Sequence, residues 1–289
     1  QINYLPFDWL GLILLTICLS SLLMALSDGQ RQGWHSNYII SLFLLSVTSG
    51  LFFIHFQINN KIRLLDLSFF SNSTYLFSTL ILFFTSMGNF GAIYLIPVFA
   101  RIVQGFSPID AGFIMFPASI LTIIILPIIS KYSIYISPRS ACMIGLLLFA
   151  IGTYPLALSD TSTPIIWMII FVTFTRLGIG ISNPFVAKSA ISEISLDKLT
   201  KAMSTLNFFR ILGTSIGTTV FVVFLDIRTN FHSSNLAHTQ VPSNDTTVYT
   251  IHKLTELFKA MGLPDINTEE FALEFLSQMI YLKGLNFAF

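Results

Sequence analysis

Long apolar runs separated by short polar connections make up most of this chain. Seven of them hold the roughly 20 mostly apolar residues that a helix needs to cross a bilayer, at about 8–27, 37–57, 74–100, 111–130, 140–158, 164–187 and 203–225. An eighth starts near Leu285. Glycine and proline lie inside several of the runs, as membrane helices tolerate. The alternation over segments of about 10 residues that marks a membrane barrel strand is missing. The pattern predicts an all-α polytopic membrane protein with about seven transmembrane helices and the start of an eighth.

The connections give an orientation. Those after spans two, four and six carry Lys61 and Arg63, then Lys131 and Arg139, then Lys188, Lys198 and Lys201. Those after spans one and three carry Arg31 and Arg101, and the one after span five carries no basic residue. Lysine and arginine stay on the cytoplasmic side, so the chain is expected to start inside and to place the segment after span seven outside. That segment, 226–284, is polar with helical signals of its own. Val248, Ile251, Leu254, Phe258 and Met261 recur at helical spacing, Gly262 and Pro264 stop them, and Asn267 with Glu270 starts a second helix. Short amphipathic helices on a solvated outer loop are expected there. Asn244 opens an Asn-Asp-Thr glycosylation triplet, which has meaning only in a secretory eukaryotic setting.

Composition agrees with the spans. Apolar residues are 54%, charged residues 10%, and the mean hydropathy is +0.76. That leaves too little polar surface to cover a soluble body of this size, and much of the surface must face lipid. A net charge of +1 argues against a nucleic-acid partner. Cys18 and Cys142 lie apart in apolar runs, and the histidines have no ligand spacing. No metal, no cofactor and no catalytic residue are therefore expected. The chain begins at Gln1 without methionine and stops as an apolar run begins; it is expected to be a fragment.

The carboxylates Asp8, Asp28, Asp66, Asp110, Asp160, Glu193, Asp197 and Asp226 all sit in loops or at span ends. Two arginines do not. Arg176 lies midway along span six and Arg210 about two turns into span seven. An arginine in lipid costs on the order of 3 kcal/mol on insertion scales, so each should face the bundle interior or a wet cavity. At 100° per residue, Thr173, Arg176, Gly180, Asn183 and Ala187 share a face of span six. Asn207, Arg210, Gly213, Thr214 and Gly217 share a side of span seven. Gly213 and Gly217 form a small-xxx-small pair that lets helix backbones approach, and Gly178 and Gly180 offer the same on span six. Span three adds Gly88, Asn89 and Gly91, whereas span five has no charged or amide side chain and is expected to face lipid. Two readings stand. The arginines bond to carbonyls or acids of neighbouring helices and hold the bundle, or they line an aqueous substrate cavity with Asn89, Asn183, Asn207 and Thr214.

Several stretches resemble the fourteen-helix drug:proton antiporters of the major facilitator superfamily, the EmrB/QacA type. Phe7–Leu15 with Gly33-Trp34 resembles the family's seventh helix and outer loop, and Asp66–Phe70 the approach to its ninth. Tyr94–Pro117 resembles the ninth-to-tenth junction, and Arg176–Pro184 and Asn207–Thr218 the twelfth and thirteenth helices. The five run in order over about 1–225. The resemblance implies a partial superfamily bundle: two linker helices in 1–58, five helices of the C-terminal bundle in 59–225, the outer loop in 226–284, and the start of a last helix in 285–289. It implies the C-terminal half of a proton-coupled multidrug or amphiphile exporter in the cell (inner) membrane, working by alternating access. Its partners would be the lipid bilayer, a small hydrophobic or amphiphilic substrate, protons, the N-terminal half of the same transporter and, as a candidate, a periplasmic adaptor protein. Arg101 stands near the family's usual Gln, and Ser130-Lys131 replaces Gly-Arg after span four. The family's proton-coupling acid belongs to its first half and is not among these residues. An exporter of one physiological, anionic solute and a non-transporting remnant are the alternatives; a membrane enzyme would need acids and histidines clustered at one face.

Overall fold

A computed structural model of the chain describes residues 8–60, 63–132, 135–160, 162–239, 245–260 and 268–288. Among these there is no strand. The helices are α1 (Trp9–Gln32), α2 (Asn37–Asn59), α3 (Ser73–Ile102), α4 (Pro108–Phe113), α5 (Phe116–Tyr132), α6 (Pro138–Ala157), α7 (Ile165–Ile191), α8 (Leu199–Thr239), α9 (Asp245–Ala260) and α10 (Thr268–Ala288). Seven stretches of helix are long and apolar enough to cross a membrane, α4 and α5 counting as one. Asn244, Gly262, Pro264 and Asn267 lie outside the described residues.

Side-chain caps set where several helices start. Asp8, Ser36, Asn72, Ser107 and Ser137 each accept a backbone N–H from the first turn of α1, α2, α3, α4 and α6, replacing partners the helix itself cannot supply. α4 and α6 also begin on a proline, whose missing N–H costs nothing there. Gly33, with φ of 83°, turns the chain between α1 and α2.

α1 and α2 form a hairpin that touches the rest through α8. It closes on small residues: the Ser46 hydroxyl donates to the Cys18 carbonyl at 2.9 Å, and a Cβ at Gly50 would lie 3.1 Å from the Cys18 sulfur. In the remaining bundle α7 packs on α6, α5, α3 and α8, and α3 packs broadly on α8. Two apolar clusters fill the interior. One joins Ile96, Phe99, Ile114, Met168 and Val172 near the α3–α4 connection, and the other joins Phe69, Tyr75, Leu82, Val186 and Leu206 at the opposite end of the bundle. The Tyr75 hydroxyl donates to the Ala202 carbonyl at 2.8 Å, tying α3 to the start of α8. α6 turns Met143, Ile144, Leu147, Ile151 and Tyr154 outward, which fits a helix bathed in lipid.

α8 runs well past the apolar stretch that ends near 225. Its 41 residues span about 61 Å, twice a hydrocarbon core of about 30 Å. Apolarity stops at Asp226, but no glycine or proline occurs between Gly217 and Pro242 to stop the helix. α10 packs along α8 and continues unbroken through position 285.

Candidate functional site

The site begins on α8. Asn207 and Arg210 are three residues apart and therefore neighbours on the helix surface. Nε and Nη2 of Arg210 both donate to Oδ1 of Asn207, at 3.1 and 2.8 Å. This pair borders a cavity of about 250 Å³ between α3, α7 and α8. Leu82 lines it from α3, Asn183, Pro184 and Ala187 from α7, and Met203 and Leu206 from α8. Pro184 also lacks the N–H that would bond the carbonyl four residues back. Oδ1 of Asn183 is buried and finds no hydrogen-bond partner among the described residues. Leaving such a group unmet costs on the order of 1–3 kcal/mol. A cavity bordered by two amide side chains, one half-buried guanidinium and apolar walls can bind a small amphiphile.

Arg210 lies nine residues from Lys201, about 14 Å along the helix. Among the described residues no carboxylate is within ion-pair distance of it or of Arg176. The structure brings Asn183, Asn207 and Arg210 to one cavity and does not bring the other candidates there. Arg176 points to the α4–α5 junction, where Nη2 meets the Met115 sulfur at 3.7 Å. Asn89 is buried on α3. The Thr214 hydroxyl donates to the Arg210 carbonyl at 3.1 Å, one turn back on its own helix.

The four candidate packing glycines meet three different neighbours. Gly213 and Gly217 lie against the α3 backbone at Phe83 and Met87; a Cβ at Gly217 would stand 2.5 Å from the Met87 carbonyl oxygen. Gly178 lies against the backbone of α6 at Gly145 and Phe149. Gly180 faces α5, where a Cβ would be 3.3 Å from a Thr122 methyl.

Three polar arrangements escape a reading by spans. Asp8 is buried, accepts from the Gly11 N–H at 2.8 Å and from the Gln57 amide at 2.6 Å, and so locks the start of α1 to the end of α2. The capping position of Asp8 is a sequence signal, but its partner is 49 residues away. Gln104 donates to the Asp160 and Thr163 carbonyls at 2.9 and 3.1 Å, joining the connections after α3 and after α6. Beyond the end of α7, Glu193 accepts from Asn72 at 2.6 Å and from Thr74 at 3.5 Å at the start of α3. Nearby, burial pushes the Asp66 carboxyl up, but hydrogen bonds from the Ser68 hydroxyl and N–H, with the charges of Arg63 and Lys201, outweigh it and hold it below the usual carboxylate range.

The fold and the site together define a multi-pass helical membrane protein with a largely apolar cavity bordered by two amides and a guanidinium. The profile of the Major Facilitator Superfamily matches residues 7–218, and the chain belongs to that superfamily. It is 31% identical over 230 residues to the multidrug transporter protein MdtP of Bacillus subtilis (strain 168), a match covering 79% of this chain and 42% of that protein. It is 26% identical over 281 residues to the multidrug export protein EmrB of Escherichia coli (strain K12), covering 96% and 53%. Against the colistin resistance protein EmrB of Acinetobacter baumannii it is 23% identical over 283 residues, covering 98% and 55%. The chain thus spans about half the length of the curated relatives it matches.

Proposed function

We propose that this chain is the C-terminal half of a secondary transporter of the inner membrane that exports small hydrophobic or amphiphilic compounds in exchange for protons. The observation that carries the proposal is the cavity between α3, α7 and α8, where Asn183, Asn207 and Arg210 meet between apolar walls. Relatives named as multidrug exporters support the substrate class. In this reading two helix bundles rock about a midplane site, and this chain supplies one wall of it. The guanidinium contributes positive potential and a planar set of donors, the amides contribute neutral donors and acceptors, and the walls take up apolar substrate surface. The coupling carboxylate would belong to the other bundle, since the acids here sit in loops or at span ends. A periplasmic adaptor protein would meet the outer segment that α9 and α10 build. A second reading, export of one anionic solute, draws on the same cavity, which shows a guanidinium and, among the described residues, no lining carboxylate.

The test is transport per folded molecule in the full-length protein, measured as proton-driven ethidium uptake into inverted vesicles. Arg210→Lys keeps the charge and loses the planar fork, and is expected to lower transport several-fold at normal expression. Arg210→Ala is expected to lower it by about a factor of ten or more, as when an interaction worth about 1.4 kcal/mol is lost. Parental transport per molecule in Arg210→Ala would leave Arg210 as a packing anchor. Preference for an anionic dye over ethidium, lost in Arg210→Ala, would favour the second reading.

A further inference from the structure

Away from that cavity, a second groove runs between α3, α6 and α7 where α6 begins. We propose that it holds one anionic phospholipid. The groove has a volume of about 380 Å³, with Arg139 at its mouth and Ile81, Met143, Leu146 and Phe185 along its walls. Arg139 and Leu146 are seven residues apart on α6, so the groove descends about 10 Å. That is the distance from headgroup level to about a third of the way into the hydrocarbon. One end is therefore suited to a charge and the other to an acyl chain.

Three features select the sign and the chemistry of the headgroup. Arg139 is exposed and has no carboxylate within ion-pair distance among the described residues. It stands in the first turn of α6, where the helix end itself attracts an anion; Pro138 offers no N–H, and the Ser140 N–H is already taken by Ser137 at 3.2 Å. Glu193, just past the end of α7 and outside the groove lining, has its oxygens engaged by Asn72 and Thr74, and Lys188 precedes the groove residue Ser189. The third feature is Ser78. It is 6% exposed, lines the groove, and makes no hydrogen bond among the described residues. Its neighbour Thr79 instead donates to the Tyr75 carbonyl at 2.8 Å. A hydroxyl on a mostly buried residue that lines the groove, with a guanidinium at the mouth and an apolar wall beside it, matches the ester carbonyl that lies just below a lipid phosphate. Basic pockets between membrane helices bind anionic headgroups for this reason.

The proposal is independent of the transport reading and is tested by binding. The whole protein, purified in detergent, would be titrated with dioleoyl phosphatidylglycerol, dioleoyl phosphatidylcholine and inorganic phosphate and followed by native mass spectrometry. Phosphatidylglycerol should bind about five-fold more tightly than phosphatidylcholine, the effect of one basic contact near the surface. Arg139→Gln should remove that preference and Arg139→Lys should keep most of it. Leu146→Trp, which fills the inner part, should weaken both lipids. Cys142, a free cysteine lining the groove, gives a separate readout: phosphatidylglycerol should slow its alkylation by N-ethylmaleimide in the parent and not in Arg139→Gln. Equal affinity for the two lipids in the parent, or an unchanged preference in Arg139→Gln, would overturn the site. Displacement of the lipid by millimolar phosphate would overturn the lipid assignment and leave a phosphate site.

Discussion

The two sides of α7 are built from similar residues and do different things. Toward α6 the small residues meet one another. Gly178 lies against Gly145 and Phe149, and a Cβ at Gly152 would stand 2.6 Å from the Phe171 carbonyl oxygen. Thr175 and Ser182, on this side, turn their hydroxyls back to carbonyls of their own helix, Val172 at 2.7 Å and Ile179 at 3.4 Å. The seam is closed, backbone to backbone. Toward α8 the small residues stop short. Ala187 faces Met203 and Leu206 across a cavity, with Asn183 unsatisfied at its edge. A polar, small helix face thus closes where its partner is also small, and stays open where the partner carries a long side chain.

The comparison breaks most easily at the closed seam. Gly178→Leu would drive a side chain into the backbone of Phe149. Overpacking of this kind costs about 3 kcal/mol, more where the obstacle is backbone. Most of the monodisperse peak in size-exclusion chromatography should be lost. A normal yield would show that α6 can move away from α7, and the seam would no longer count as rigid.

On the open side the expected signs differ. Asn183→Leu removes a buried acceptor that has no partner and fills part of the cavity. Deleting such a group relieves a cost on the order of 1–3 kcal/mol, so thermal stability should hold or rise. Ethidium transport per molecule should fall about ten-fold, because the cavity loses both volume and an amide from its lining. If stability and transport fall together, Asn183 belongs with the packing residues, and the two sides of α7 are alike.

Much of this arrangement is legible in the residues. The apolar runs locate the seven spans, since burial in lipid demands length and little else. The helical period places Asn207 beside Arg210 and turns Asn183 away from Gly178. Three things were not legible. A face with a 100° step covers more than one neighbour, so Arg176 and Asn183, read as one face, go to the α4–α5 junction and to α8 respectively. The end of α8 was also hidden, because hydropathy reports the membrane and not the helix; α8 stays helical to Thr239 with nothing to break it. The Asp8–Gln57 contact depends on how two helices pair, and spacing along one of them carries no information about it.

The smallest expected effect separates α7's two glycines. Gly178 and Gly180 are two residues apart and look equivalent as small residues in a span. At Gly178 an added Cβ meets the backbone of Phe149, which cannot yield unless α6 moves. At Gly180 it meets the Thr122 methyl at 3.3 Å and Leu126 at 4.0 Å, both ends of side chains that can shift by a few tenths of an ångström. Against that small crowding stands the conformational freedom of glycine, which costs a helix interior about 0.5–1 kcal/mol relative to alanine. Gly180→Ala should therefore melt within about 2 °C of the parent, on the higher side, as a change below about 1 kcal/mol implies for a chain of this size. Gly178→Ala should melt clearly lower. Thermal unfolding of the two variants in the same detergent reads the difference. Equal losses would mean that α5 holds α7 as tightly as α6 does, and the contrast between a closed seam and softer neighbours would be confined to α8.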